Sequence, residues 1–250
     1  MIVDFRWFVM KNSNELLSTK GENAPFEFYE QKIKKIRGRL LEVVINHQQQ
    51  LLQASDYKVD KLILLEGEET TPKNNVLVEK NDNGSIYKAS INRLKLPLLY
   101  DVIFIPVGGV LTMSERKKAI KALKSLYDSL KVDGEMIVDL FIQKELFVNK
   151  SEEKIHGENE KLTILESSIR EIDFFQQTAS YLLSIENWQD GELKAKERKL
   201  HSFIWFGMKE FKLILERIGF SEVTVIGDYQ VENEEDFSNC EVFTFVAKKK

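Results

Sequence analysis

The chain has 250 residues, 43% of them hydrophobic and 10% aromatic, enough to bury a sizeable core in one large domain or two small ones. Charged residues make up 30% yet nearly cancel to a net of -4, which supplies neither a broad basic footprint for nucleic acid nor a polybasic membrane surface. The one cysteine, Cys240, excludes an internal disulfide framework, and beside three scattered histidines it makes a poor zinc site, so no metal is expected.

The opening Met1-Ile-Val-Asp4-Phe-Arg6-Trp places an acid and a base where a signal peptide needs apolar residues, and no run of about 18 apolar residues follows. A cytoplasmic protein is the expectation. Apolar periodicity predicts a helix over residues 26–36, a strand over 40–45, a Gln-rich helical segment after it, and a second strand over 58–65. Residues 75–87 alternate around Asn83-Gly84 and read as a β-hairpin. Asp101-Val-Ile-Phe-Ile-Pro106 reads as a strand buried on both faces of a parallel sheet. A helix over 114–130 follows, with Ser114 as N-cap and Glu115 in its first turn; it stops at Lys131-Val-Asp-Gly134, and 135–141 returns to strand.

Residues 144–161 form a polar stretch expected to be mobile. Beyond it the period changes to two, giving three antiparallel strands over 162–169, 178–188 and 193–203, with Asp190-Gly191 as a hairpin turn. A helix over 208–218 ends at Gly219, where glycine suits a left-handed C′ position, and strands over 222–227 and 242–247 close the chain. Strand–helix alternation followed by antiparallel strands predicts an α/β protein: a Rossmann-like, doubly wound, mostly parallel seven-stranded sheet with an antiparallel insertion after strand 5.

Four stretches carry a family resemblance. Phe28-Tyr29 precedes Leu40-Leu41-Glu42; Leu96-Pro97 leads into Tyr100-Asp101-Val-Ile-Phe-Ile-Pro106; Leu130-Lys131-Val-Asp-Gly134 leads into the fifth strand. The C-terminal third runs from Trp205 through Leu215-Glu-Arg-Ile-Gly-Phe220 to Val225-Ile-Gly-Asp-Tyr229. In this order and spacing the chain resembles the class I S-adenosylmethionine-dependent methyltransferases, specifically the small-molecule N-methyltransferase type. The resemblance implies one domain over 1–250, with 142–204 as an insertion or lid, and S-adenosylmethionine as the cofactor of an active member.

The family's first motif, Glu-x-Gly-x-Gly-x-Gly, lets a tight turn bring backbone against the cofactor without Cβ atoms in the way. Set on Glu42, its glycine positions here are Val44, Asn46 and Gln48. The acid that would receive the ribose hydroxyls is matched only by Glu66, slightly late in register, and the acid that would meet the adenine amino group is replaced by Ser90, eleven residues before Asp101. The predicted hairpin stands where the family has a helix walling the adenine pocket. Glu42, Val44, Asn46, Gln48, Glu66 and Ser90 are therefore the cofactor-motif positions, in degenerate form.

No catalytic residue stands out. His47, where a strand meets a helix, is a candidate general base, and His201 and Tyr229 fall toward the substrate mouth of similar proteins; each also has a purely structural reading. Gly108-Gly109 lacks the lysine and serine of a phosphate loop, and Cys240 has no positioned histidine. Trp188, Trp205 and Phe206 are candidates to line a cavity under the insertion or to be core. The expectation is a pseudoenzyme: a scaffold or small-ligand binder that holds S-adenosylmethionine weakly or not at all. The alternative is an active small-molecule N- or O-methyltransferase with an altered cofactor pose. Partners are expected to be small molecules or proteins, a homodimer among them, and neither nucleic acid nor membrane.

Overall fold

The computed structural model describes residues 24–45, 59–66, 76–81, 84–91, 94–106, 108–141, 152–158, 161–230 and 234–250. The chain divides into two compact units. The first comprises Met1–Met113, Lys117–Ile142 and Phe206–Lys250, and the second Ser114–Arg116 and Gln143–Trp205.

In the first unit, α1 (Ala24–Lys35) precedes β1 (Leu40–Ile45), β2 (Val59–Leu65), β3 (Val76–Asn81), β4 (Gly84–Ser90) and β5 (Tyr100–Ile105). Next come α2 (Arg116–Asp128) and β6 (Leu130–Phe141), then, after the second unit, α3 (Met208–Ile218), β11 (Phe220–Gly227) and β12 (Val242–Lys249). The strands form one sheet in the order β11-β12-β6-β5-β1-β2-β4-β3. Pairs β1/β2, β1/β5, β2/β4 and β5/β6 are parallel, while β12 runs antiparallel to β6 and β11. Seven strands thus make the expected mostly parallel sheet. An eighth, β3, joins its edge as the first arm of the predicted hairpin, antiparallel to β4.

β1 is buried at all six positions, Glu42 among them, as a strand covered on both faces must be. On one face Tyr29 and Ile33 of α1 pack with Leu40, Val102, Phe104 and Ile137. Phe245 of β12, on the opposite side of its strand from Val246, meets Phe211 of α3 with ring centroids 4.9 Å apart. Helices therefore cover both faces, as a doubly wound sheet demands.

Three local expectations are corrected. α2 begins at Arg116, with no acid in its first turn, because a 3-10 turn over Gly109–Thr112 and an extended Met113 take up the chain ahead of it; Ser114 and Glu115 lie before the helix. Lys131 to Gly134 belong to β6 rather than to a turn. Tyr100 pairs Leu130 and Val102 pairs Glu135, so these residues bulge outward, with Asp133 at φ 61°. Gly219 ends α3 at φ 129°, positive but outside the left-handed helical well, its amide donating to the Leu215 and Glu216 carbonyls.

The second unit is a four-stranded antiparallel sheet, β10-β9-β8-β7, made of β7 (Glu152–Glu158), β8 (Lys161–Asp173), β9 (Thr178–Gln189) and β10 (Glu192–Ile204). β7 is a strand inside the stretch expected to be mobile, paired along β8 from Glu152↔Ser167 to Glu158↔Lys161. Asp190 and Gly191, at φ 54° and 76°, make the predicted β9–β10 turn.

Candidate functional site

In an open α/β sheet, ligands bind beyond the carboxyl ends of the strands, where consecutive connections diverge to opposite sides. Here that point is β1, with β2 on one side and β5 on the other. Val44 is the penultimate residue of β1, 4% exposed and registered against Ile63 of β2. The strand ladder thus continues regularly through the first glycine position of the motif. Asn46, His47, Gln48 and the Gln-rich segment lie outside the described residues.

Glu66 follows β2 directly and is half-buried; Leu65, just before it, pairs Ser90 at the end of β4. Two of the degenerate motif positions are thereby brought to adjacent strand ends. Ser90 is 2% exposed. The β3 arm on the outer side of β4 occupies part of the chain between Glu66 and Ser90, where the resemblance implied a helix.

Glu42 lies deeper, fully buried in mid-strand. The Lys61 ammonium, from the residue registered against it on β2, sits 3.9 Å from its Oε2. On the same face, fully buried Asp139 of β6 accepts hydrogen bonds from Thr244 Oγ1 at 2.7 Å and from Tyr229 Oη at 3.1 Å. Thr244 is its register partner on β12. Burial, and then the Asp139 charge, push the Tyr29 hydroxyl well above its ordinary pKa, with Glu42 adding to the effect. Tyr229 is raised by the same two leading causes. Its ring meets Phe28 of α1 at 5.4 Å.

The Tyr229 phenol serves as a hydrogen-bond donor to the buried Asp139 carboxylate. His201 is on β10 of the second unit, registered against Tyr181 and half-buried. Trp205 packs on the Ala179–Phe203 cluster of that unit, Trp188 donates its indole hydrogen to Glu186 at 3.2 Å, and Phe206 meets Phe211 in the first unit. Cys240 is buried, its Sγ occupying the space a Cβ on Gly227 would need. Sequence reasoning passed over Lys61 and Asp139. Asp139 interrupts the apolar run Met136–Phe141, and that exception was an available signal; Lys61, next to Asp60 at the start of β2, gave none.

The sequence matches no family model and no curated protein. Solved structures match closely in architecture. CalS10, an amino pentose methyltransferase from Micromonospora echinaspora solved with S-adenosylmethionine bound, superposes at TM-score 0.65 with 9% identity, covering 100% of this chain and 98% of that one. An S-adenosylmethionine-dependent methyltransferase from Clostridium acetobutylicum ATCC 824 matches at TM-score 0.63 and 13% identity over 98% of both chains. This is the class I S-adenosylmethionine-dependent methyltransferase fold. The CcbJ methyltransferase from Streptomyces caelestis shares it at TM-score 0.65 and 11% identity, over 93% of this chain and 97% of that one. Among the described residues no group of His, Cys, Asp and Glu is placed to hold a metal ion, and no helix is long and apolar enough to cross a membrane.

At the first glycine position of the implied motif, Val44 carries a buried branched side chain in a continuous ladder.

Proposed function

We propose that this methyltransferase-fold chain is a pseudoenzyme: its S-adenosylmethionine site is too altered for turnover, and the protein acts as a noncatalytic scaffold or small-ligand binder. The observation that carries this reading is Val44, packed into β1 where the motif needs glycine, in a sequence that also places Asn46 and Gln48 at the next two glycine positions. The edge hairpin β3–β4 supports it, because an antiparallel arm stands in the segment where a pocket-walling helix is implied. Isothermal titration with S-adenosylmethionine and S-adenosylhomocysteine tests it. No saturable heat is expected up to about 100 μM ligand; a dissociation constant of about 10 μM or tighter overturns the proposal.

One observation favours a second reading, an active small-molecule N- or O-methyltransferase with an altered cofactor pose. Glu66 and Ser90 stand at adjacent strand ends, where a carboxylate and a hydroxyl suit a ribose and an adenine. Methyl transfer relies mainly on proximity, alignment and desolvation, so the lack of an assigned base does not count against it. Under this reading titration shows binding, and Glu66→Ala weakens it about tenfold or more, as loss of a charged hydrogen bond requires.

A further inference from the structure

We propose that one face of the β7–β10 sheet is a self-complementary interface joining two copies of this chain. Side chains alternate along each strand, so register assigns the faces. Leu165 and Leu183, 3% and 0% exposed, lie on the covered face. The opposite face carries Ile164 beside its register partner Ile155, Leu162 beside Trp188 and Leu193, and Leu200 beside Leu182. Leu193 and Ile155, 44% and 59% exposed, end the run Leu193–Trp188–Leu162–Ile164–Ile155, an apolar stripe that a monomer would leave in water; Leu200, 65% exposed, lies beyond the Arg198–Ser184–Glu166 row.

The charges on this face select the occupant. Arg198 and Lys196 lie on β10, at one side of the stripe, while the exposed Glu166 lies on β8, nearer the other side. Lys196 is already paired with Glu186 of β9; Arg198 and Glu166 stand in one cross-strand row with the small Ser184 between them. Turning a second copy over about a two-fold axis along the strands keeps the rows aligned and reverses the strand order. β9 of each copy then lies over β8 of the other, with Trp188 over Leu162 of its partner, and β10 lies over β7, which brings Arg198 within one strand spacing of Glu166 on the other copy. Such pairing of a patch with itself is what an isologous two-fold contact requires. A nucleic acid is disfavoured by Glu166 and Glu186 within the same surface.

The size is adequate. Strands β8 to β10 have 12 or 13 residues. At roughly 3.3 Å per residue and 4.8 Å between strands, the four-stranded face approaches the roughly 800 Å² per partner of a standard interface.

Sedimentation equilibrium of the full chain tests this. The wild type is expected to dimerise at micromolar concentration, and Arg198→Glu to weaken the dimer about tenfold or more by setting like charges near each other. Combining Arg198→Glu with Glu166→Arg restores attraction and should recover the dimer; both sites are exposed, so the variants fold. A monomeric wild type at about 100 μM, a dimer indifferent to Arg198→Glu, or a double variant no tighter than the single one would each overturn the assignment. The first outcome would leave the face to a different protein. None of these results bears on cofactor binding.

Discussion

The Tyr229 hydroxyl donates to Asp139 Oδ2 at 3.1 Å, tying the turn after β11 to the centre of the sheet, while Thr244 Oγ1 holds the other carboxylate oxygen at 2.7 Å. Asp139 has no solvent exposure, so both donors offset the cost of burying it. Removing one leaves a buried acceptor short of a partner. Tyr229→Phe is expected to cost about 1–3 kcal/mol in urea unfolding, with the fold retained.

Alkaline stability follows from this cluster and from Tyr100, whose hydroxyl donates to Asp60. Tyr29, Tyr100 and Tyr229 all have pKa values raised above the ordinary 10.0, in each case first by burial. The folded chain holds these protons more tightly than the unfolded chain, so unfolding above about pH 10 releases protons and stability falls as pH rises. Below that pH the contribution is complete. Melting temperatures measured from pH 8 to 11 should therefore drop at the upper end, less steeply in Tyr29→Phe once corrected for its value at pH 8.

Gly38→Ala should destabilise although Gly38 is exposed. A Cβ there would lie 2.4 Å from Asp101 Cγ, and that carboxylate is held by the Arg39 amide and the Lys131 ammonium, each at 2.7 Å. Displacing Asp101 sacrifices those bonds, for an expected loss of about 1–2 kcal/mol. Partial burial opposes ionisation of Asp101, but Lys131 and the Arg39 amide outweigh it and lower its pKa below 3.8. Its stabilisation is full above that value and fades as pH falls, so the difference between variant and wild type should shrink in acid unfolding.

On the β8–β9 hairpin, Leu183 is 0% exposed and Phe175, in the connecting turn, 90%. Leu183→Ala should cost about 2–5 kcal/mol through a cavity, and Phe175→Ser no more than about 0.5 kcal/mol. Thermal denaturation of the two variants distinguishes them directly.

Restoring glycines is a gain-of-function test of the proposed degeneration. Val44→Gly alone should lower stability by about 2 kcal/mol or more, since it deletes a buried side chain and loosens a strand. The triple variant Val44→Gly, Asn46→Gly, Gln48→Gly should nonetheless acquire S-adenosylmethionine binding detectable by titration. A triple variant that folds and still shows no binding would place the obstruction in the β3–β4 wall.

Most of the fold was legible because its strands announce themselves. β1 and β5 are apolar but for one acid each, Glu42 and Asp101, Asn83-Gly84 and Asp190-Gly191 encode hairpins, and Gly219 ends a strongly amphipathic helix. The misreadings came where backbone geometry rather than composition decides. Gly134 looked like a turn glycine, yet a Cβ there would stand 2.9 Å from the Lys131 carbonyl oxygen and 3.1 Å from that of Asp101, so its work is close approach within a bulge. β7 was hidden because an edge strand of Glu, Lys, His and Gly lacks an apolar signature. At the candidate site, motif spacing singled out Glu66 and Ser90, which stand at adjacent strand ends, but the Asp139–Thr244–Tyr229 cluster joins residues up to 105 positions apart and has no local pattern.

β12, the last strand in chain order, is not an edge: it pairs with β6 along Val242–Lys248 and with β11 on its other side. During synthesis β6 must therefore wait, its hydrogen-bonding flank open, until more than a hundred further residues have left the ribosome. The completed sheet is consequently a late event in the life of each molecule. A nascent chain stalled before Val242 would expose that flank to any extended segment nearby, its own β11 included.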